Sequence, residues 1–343
     1  MQSDSGATDG QTHRPNGGQT AGEAPYSLNL LASQDVDEHA QNLREWQQSY
    51  DQISPGRFEG SLIDAWFDGV QMFREVTYQR VHESGSAWPA ARSFAVPMAM
   101  DGCAHAGAQT FTEDRVLTIA PNEGFDLRTP KSFDVVGVSV GVDELASLSQ
   151  TLEGCDVESL MQGTCLIALP PERMAELRTF LASAFEMIRN NSALLRHRQV
   201  QKGLRSALLN TLLGAISEAR HVPVGWREMS HRKVVESAKN YVLERADEPV
   251  TVEELCKAVG VSRRSLQTCF HEVMGTNPVN YLRTMRLNAA RRELRSNDGK
   301  AGNVADVAAR WGFWHLSHFA TDYRNLFGEL PSNTLARSRV GRG

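Results

Sequence analysis

The sequence predicts an α+β chain: a β-rich, barrel-like part with two amphipathic helices, followed by an all-α part. Three observations carry this. Apolar residues alternate with a period of two in stretches between about Leu43 and Leu169, the period lengthens to that of a helix after Pro170-Pro171, and the last third contains an internal repeat. With 343 residues, 41% of them hydrophobic, the chain is long enough to bury two cores.

Residues 1 to 25 are rich in Gly, Ser, Thr, Gln and Asp and nearly devoid of apolar side chains, so they read as a disordered tail that cannot repay the entropy of ordering. Residues 35 to 220 read as the first domain. Its strands show in the alternation Val116, Thr118, Ala120 and Val136, Val138, Val140, and Asp68-Gly69 between two strand-like runs is a pair that tolerates the positive φ of a tight hairpin. A small antiparallel barrel or sandwich, cupin-like in outline, follows. Met174, Leu177, Leu181, Ala184 and Ile188 then share one helical face, and Leu204, Leu208, Leu212 and Ala215 share another. Two uses fit such stripes: they cover the sheet, or they pair with a second subunit in a homodimer. The stretch HVPVGWREMS, residues 221 to 230, with Pro223 and Gly225, reads as a linker to a domain over 231 to 338.

Several function classes are disfavoured. There is no apolar run of about twenty residues and no basic, then apolar, N-terminal leader, which predicts a cytoplasmic protein without a membrane role. Five cysteines without a CxxC pair predict neither a disulfide framework nor a zinc finger. His82 and His105 stand singly, and no phosphate loop, nucleophile elbow or Cys/His pairing appears, so no catalytic residues and no metal are expected. A metal-dependent enzyme fused to a DNA-binding module is the alternative, and it would need ligands that are not seen.

Charge is divided unevenly. The chain carries a net −5, yet residues 231 to 343 hold 18 Lys and Arg against 12 Asp and Glu, leaving 18 basic and 29 acidic residues before them. Only the C-terminal part is built to meet a polyanion.

That part repeats TVEELCKAVGVSRRSLQTCFHEVMGTNP as NVADVAARWGFWHLSHFATDYRNLFGELP, about 52 residues on. Thr251 and Glu254 form a capping box, Val252, Leu255, Cys256 and Val259 face inward, Gly260 turns the chain, Val261 plugs the angle and Ser262 caps a second helix burying Leu266, Cys269, Phe270 and Val273. Arg263, Arg264, Gln267 and Thr268 are left on its outer face, where a recognition helix meets base edges. In the second copy Asn303 caps a helix with Val304, Val307, Ala308 and Trp311 inward, and Gly312-Phe313 turn the chain. Leu316, Phe319, Tyr323 and Leu326 point inward from the last helix, and His315, Ser317, His318, Thr321 and Arg324 point outward. The spacing predicts two helix-turn-helix motifs, over 251–272 and 303–326. Between them, Val279 to Arg295 is apolar on two sides, with Leu282, Met285 and Ala289 about 150° from Leu287, Ala290 and Leu294, so it is sandwiched and holds the motifs about 27 Å apart. Arg291 and Arg295 fall on the remaining arc, as phosphate contacts or as solvated side chains.

The stretches VSRRSLQTCF, PVNYLRTMRLNAARREL and WGFWHLSHFATDYRNLFGELPS resemble the AraC/XylS family of bacterial transcription regulators over residues 228 to 335. The resemblance implies a two-lobed helical domain that binds double-stranded promoter DNA, works with RNA polymerase and usually activates transcription. Within the family, WQQSYDQISPGRFEG, VQMFREVT, Trp88-Pro89 and FDLRTP are most similar to the regulators of ethanolamine utilisation. That implies ethanolamine and adenosylcobalamin as effectors; a regulator of another amine or amino-acid catabolic operon is the alternative. A small amine cation calls for aromatic walls and a carboxylate, for which Trp66, Glu75 and Trp88 are the effector-binding candidates.

Overall fold

Where the sequence places a two-residue turn, the chain makes one. In the computed structural model, which describes residues 25–107, 109–151, 161, 163, 165–221, 226–245, 250–296 and 302–340, Asp68 and Gly69 have φ of 43° and 78°. Positive φ at both positions makes the tight hairpin that joins β3 (Gly60–Phe67) to β4 (Val70–Thr77). The expected tail and the centre of the expected linker lie outside the described residues, apart from Pro25.

The hairpin belongs to an eight-stranded sheet. Its order is β1 (Tyr26–Ser33), β3, β4, β11 (Phe133–Gly141), β6 (Ala91–Met100), β9 (Arg115–Ile119), β12 (Cys165–Ala168) and β13 (Arg220–His221). A second sheet has the order β2 (Gln47–Gln52), β5 (Val81–Ser86), β10 (Gly124–Arg128), β7 (Ala104–Ala106) and β8 (Gln109–Phe111). On one face of the large sheet Val70, Met72, Val136, Val138 and Val140 pack against α3 (Pro171–Asn190) and α4 (Arg198–Ser217), after the short α2 (Val142–Thr151). On the other face, Leu117, Phe133 and Val135 join Phe125 and Leu127 of the small sheet in a second core. The helical stripes of Met174 to Ile188 and Leu208 to Ala215 are buried on the sheet, which is the first of their two expected uses. β1 lies ahead of the expected domain start at 35. α1 (Val36–Gln41) was not expected either; the Asp35 carboxylate caps it by accepting from the Asp37 and Glu38 N–H groups at 3.0 Å. The second half of the expected linker is already helical, because α5 (Trp226–Leu243) starts at Trp226.

Six more helices follow: α6 (Val252–Val259), α7 (Arg263–Met274), α8 (Pro278–Arg295), α9 (Val304–Arg310), α10 (Leu316–Phe327) and α11 (Pro331–Val340). They form two lobes around α8. Tyr281 and Leu282 enter a core with Leu255, Leu266 and Phe270, while Leu287, Ala290 and Leu294 enter one with Val307, Phe319 and Tyr323.

The third arc of α8 corrects the sequence reading. Arg291 is 4% exposed and Arg295 is half-buried, so neither is a solvated or phosphate-facing side chain. Both reach the β-rich domain instead. Arg291 donates to Asp35 Oδ2 at 2.5 Å and to Glu329 Oε1 at 2.8 Å, with its guanidinium 4.7 Å from the centre of the Phe327 ring, and Arg295 pairs with Asp35. Arg292 donates to Asp37 at 2.9 Å and to Asp51 at 2.5 Å, and Asn288 exchanges two 3.1 Å hydrogen bonds with the backbone of Gln52. Lys239 of α5 adds a second tie, to Asp126 and, at 3.0 Å, to His82. Burial alone would raise the Asp126 carboxyl; His82 and Lys239 overcome that and hold it well below the usual range.

Candidate nucleic-acid interface

The first helix-turn-helix is set by its caps. Thr251 N–H donates to Glu254 Oε2 at 2.7 Å while Thr251 Oγ1 accepts from Glu254 N–H at 3.3 Å, a complete capping box for α6. Gly260 ends it at φ 66°. A Cβ there would meet nothing within 4 Å, so the backbone conformation and not lack of space calls for glycine. Ser262 then accepts from Ser265 N–H at 3.1 Å and starts α7. With Leu266, Cys269, Phe270, Val273 and Met274 buried, α7 leaves Arg263, Arg264, Gln267 and Thr268 exposed together along its N-terminal half. The Thr268 hydroxyl donates to the Arg264 carbonyl at 3.1 Å, so toward a ligand it offers a lone pair and a methyl group.

The second motif is built alike, with a difference. Asn303 caps α9, Gly312 turns at φ 73°, and Phe313 packs 4.9 Å from the Phe319 ring. His315, Ser317, His318, Thr321 and Arg324 are all exposed, as expected. Leu316, expected inward, is 47% exposed. The reason is an extra residue in the turn. Gly260 and Val261 correspond to Gly312 and Phe313, but the N-cap Ser262 corresponds to His315, and the closing glycine of α7, Gly275, to Gly328. Trp314 is the inserted residue. Structurally, therefore, Leu316, Ser317 and Ala320 stand where the first motif has Arg263, Arg264 and Gln267.

The arginines of this surface differ from those that α8 turns toward the β-rich domain. Arg263, Arg264 and Arg324 have no acidic partner among the described residues. On α8, by contrast, Arg283 is paired with Asp322, Arg291 with Asp35 and Glu329, Arg292 with Asp37 and Asp51, and Arg295 with Asp35. The outer faces of α7 and α10 therefore carry Arg263, Arg264 and Arg324 as exposed cations, alongside Lys233, Lys257 and Arg339 elsewhere in the domain, while Arg286 of α8 donates to the Val250 carbonyl.

The N-terminal candidates are only partly brought together. Trp66 and Trp88 are half-buried, with ring centres 5.0 Å apart, and Trp66 lines a cleft of about 420 Å³ with Tyr26, Phe67, Arg44, Glu45 and Asp68, the last of these paired with Arg205. Glu75 is elsewhere. It lies four residues along β4 from Gln71, the cross-strand partner of Trp66, or about 13 Å away, and its carboxylate is used internally. Tyr50 Oη donates to it at 3.0 Å and His39 Nε2 is 2.9 Å from Oε1. Burial, and then the Glu75 charge, push the neighbouring Glu83 carboxyl well above its usual range. Among the described residues no group of His, Cys, Asp and Glu is suited to hold a metal ion, and no helix is long and apolar enough to cross a membrane.

A helix-turn-helix domain family matches residues 255–337. The chain is 34% identical over 143 residues to a probable thc operon regulatory protein of Rhodococcus erythropolis, covering 42% of this chain and 43% of that one. It is 37% identical over 105 residues to XylDLEGF operon transcriptional activator 2 of Pseudomonas putida, covering 31% of this chain and 67% of the activator. The chain belongs to the AraC/XylS family of transcription regulators. Its relatives are regulators and not enzymes. A solved structure of a probable AraC family transcriptional regulator from Rhodopseudomonas palustris CGA009 is 33% identical, with a TM-score of 0.29, over 31% of this AraC-family chain and 97% of the other. The chain spans less than half the length of the Rhodococcus relative and about a third of the longer Pseudomonas putida activators.

Proposed function

We propose that this AraC-family chain binds promoter DNA with both helix-turn-helix motifs, reads sequence chiefly with α7, and activates transcription by RNA polymerase in response to a small effector held by the β-rich domain. The observation that carries the reading is the set of arginines without acidic partners on the recognition helices, in a domain that neutralises the arginines of its α8 interface. Uncompensated cations on a recognition surface are what phosphates and guanine edges require. Arg264 suits a bidentate contact to guanine and Gln267 one to adenine, while Arg263 and Arg324 suit phosphates.

Arg264→Ala and Gln267→Ala are each expected to relax preference at one base pair and to weaken the specific site by roughly 5- to 150-fold. Arg263→Ala should weaken specific and scrambled DNA alike. Titration of the three variants against both DNAs decides it; equal losses on the two DNAs for all three variants would overturn the assignment.

A small amine, with ethanolamine as the first candidate, is the effector class that the Trp66 cleft supports. The Tyr26 and Trp66 rings beside Glu45 are the materials of cation–π recognition, with Arg44 on the same cleft and Asp68 held by Arg205, and here Glu45 takes the place of Glu75. A thermal-shift screen of ethanolamine, adenosylcobalamin, other amines and amino acids should raise Tm with the amine, and Trp66→Ala should abolish the rise. Stabilisation by a different amine would point to another catabolic operon, and stabilisation by none would remove the effector from the reading.

A further inference from the structure

The second recognition helix has the wrong chemistry to read DNA as the first one does. Where α7 presents Arg263, Arg264 and Gln267, α10 presents Leu316, Ser317 and Ala320 at the matching turns, and the inserted Trp314 stands just before it. Trp314 is 84% exposed, the most exposed large apolar side chain among the described residues, and Leu316 is 47% exposed beside it. Its ring centre lies 3.5 Å from that of His315, which lies 5.1 Å from that of His318. The neighbouring Phe313 goes inward to Phe319, so the turn is already plugged and the lobe has no packing use for Trp314. An aromatic of this size is seldom left in water without a partner.

We infer that Trp314, Leu316 and Ala320 form an apolar reading surface for thymine C5-methyl groups in the second half-site. This rests on the proposed DNA binding. DNA is favoured as the occupant because the patch sits at the start of a recognition helix, on the surface that carries Arg324 without an acidic partner, and so lies against the major groove when phosphates are engaged. In that groove the thymine methyl is the one apolar group, and apolar side chains discriminate through it. The first motif offers Arg264 and Gln267 for hydrogen bonds to bases, and the second adds methyl contacts beside its exposed Ser317, His318 and Thr321.

The test starts from a random-sequence duplex library selected with the full chain. Two half-sites about one helical turn apart are expected. The half-site whose preference shifts in Arg264→Ala belongs to α7, and the other should require thymine. Replacing each such thymine by deoxyuridine removes only a methyl group and should weaken wild-type binding about fourfold per position. Trp314→Ala should be indifferent to that replacement, while Trp314→Phe should keep most of the sensitivity. Because Trp314 is exposed, its variants should melt as the wild type does.

The inference is overturned if deoxyuridine has no effect in the second half-site, or the same effect in Trp314→Ala as in wild type. It is also overturned if Trp314→Ala binds like wild type and fails only in transcription with purified polymerase, which would make the patch a protein contact. In these cases a selected first half-site leaves the DNA-binding reading intact. Failure to select any sequence sinks both.

Discussion

Arg291→Ala is expected to lower the folding stability of the whole chain by about 3 kcal/mol, measured by denaturant unfolding, although it removes one side chain of a helix in the other domain. The magnitude follows from what stays behind. Arg291 is 4% exposed and its guanidinium joins Asp35 to Glu329, which are themselves 12% and 14% exposed at the side chain. Breaking a buried pair typically costs 3–5 kcal/mol because a charge is stranded away from water. Here Arg295 still faces Asp35 and Arg337 still faces Glu329, which puts the loss at the lower end. The stacking of Arg291 on the Phe327 ring is lost too. Arg291→Lys, with the charge but not the two-pronged fork, should recover only part of the loss. Arg324→Ala makes the contrast: this arginine is exposed and has no acidic partner among the described residues, so it should cost within about 0.5 kcal/mol of stability while weakening DNA binding.

That contrast marks the limit of what the sequence could give. Caps, turns and core positions of the helical domain were legible because they are local: Thr251 to Glu254, Gly260, Ser262 and Asn303 each act within a few residues, and the period of Leu266, Phe270 and Val273 is a property of one helix. The third arc of α8 was visible as polar, but not its destination. Asp35 and Arg291 are 256 positions apart, and no periodicity links residues at such a separation. Glu75 failed for a related reason. Residue type marked it as a carboxylate among aromatics, while the strand register placed it opposite Leu62, four residues from the partner of Trp66, with Tyr50 and His39 already upon it. Trp314 was legible in principle: the repeat fits at one offset through Phe313 and at the next from His315 onward, and that slip of one residue is the insertion.

Phe270→Ala is expected to cost about 4 kcal/mol and to do so unevenly along the DNA-binding domain. Phe270 is fully buried, 5.2 Å from the Tyr281 ring, in the core it shares with Leu255, Leu266 and Leu282. Truncating a buried phenylalanine loses its transfer free energy and leaves a cavity that the surroundings fill only in part, for 3–5 kcal/mol in total. Collapse is hard here because Tyr281 sits on α8, which is held from three sides: by this lobe, by the Leu287 and Leu294 lobe, and by Asp35, Asp37 and Asp51. The second lobe has its own core of Val307, Phe319 and Tyr323, which Phe270 does not enter. Amide exchange should therefore show lost protection in α6, α7 and the first turns of α8, with α9, α10 and the last turns of α8 kept. If protection fell equally in both lobes, α8 would transmit unfolding across the domain, and the two motifs would behave as one cooperative unit. If it fell as expected, α8 would act as a rigid spacer between lobes that open separately, and Phe270→Ala would lose selection of the first half-site while retaining the second.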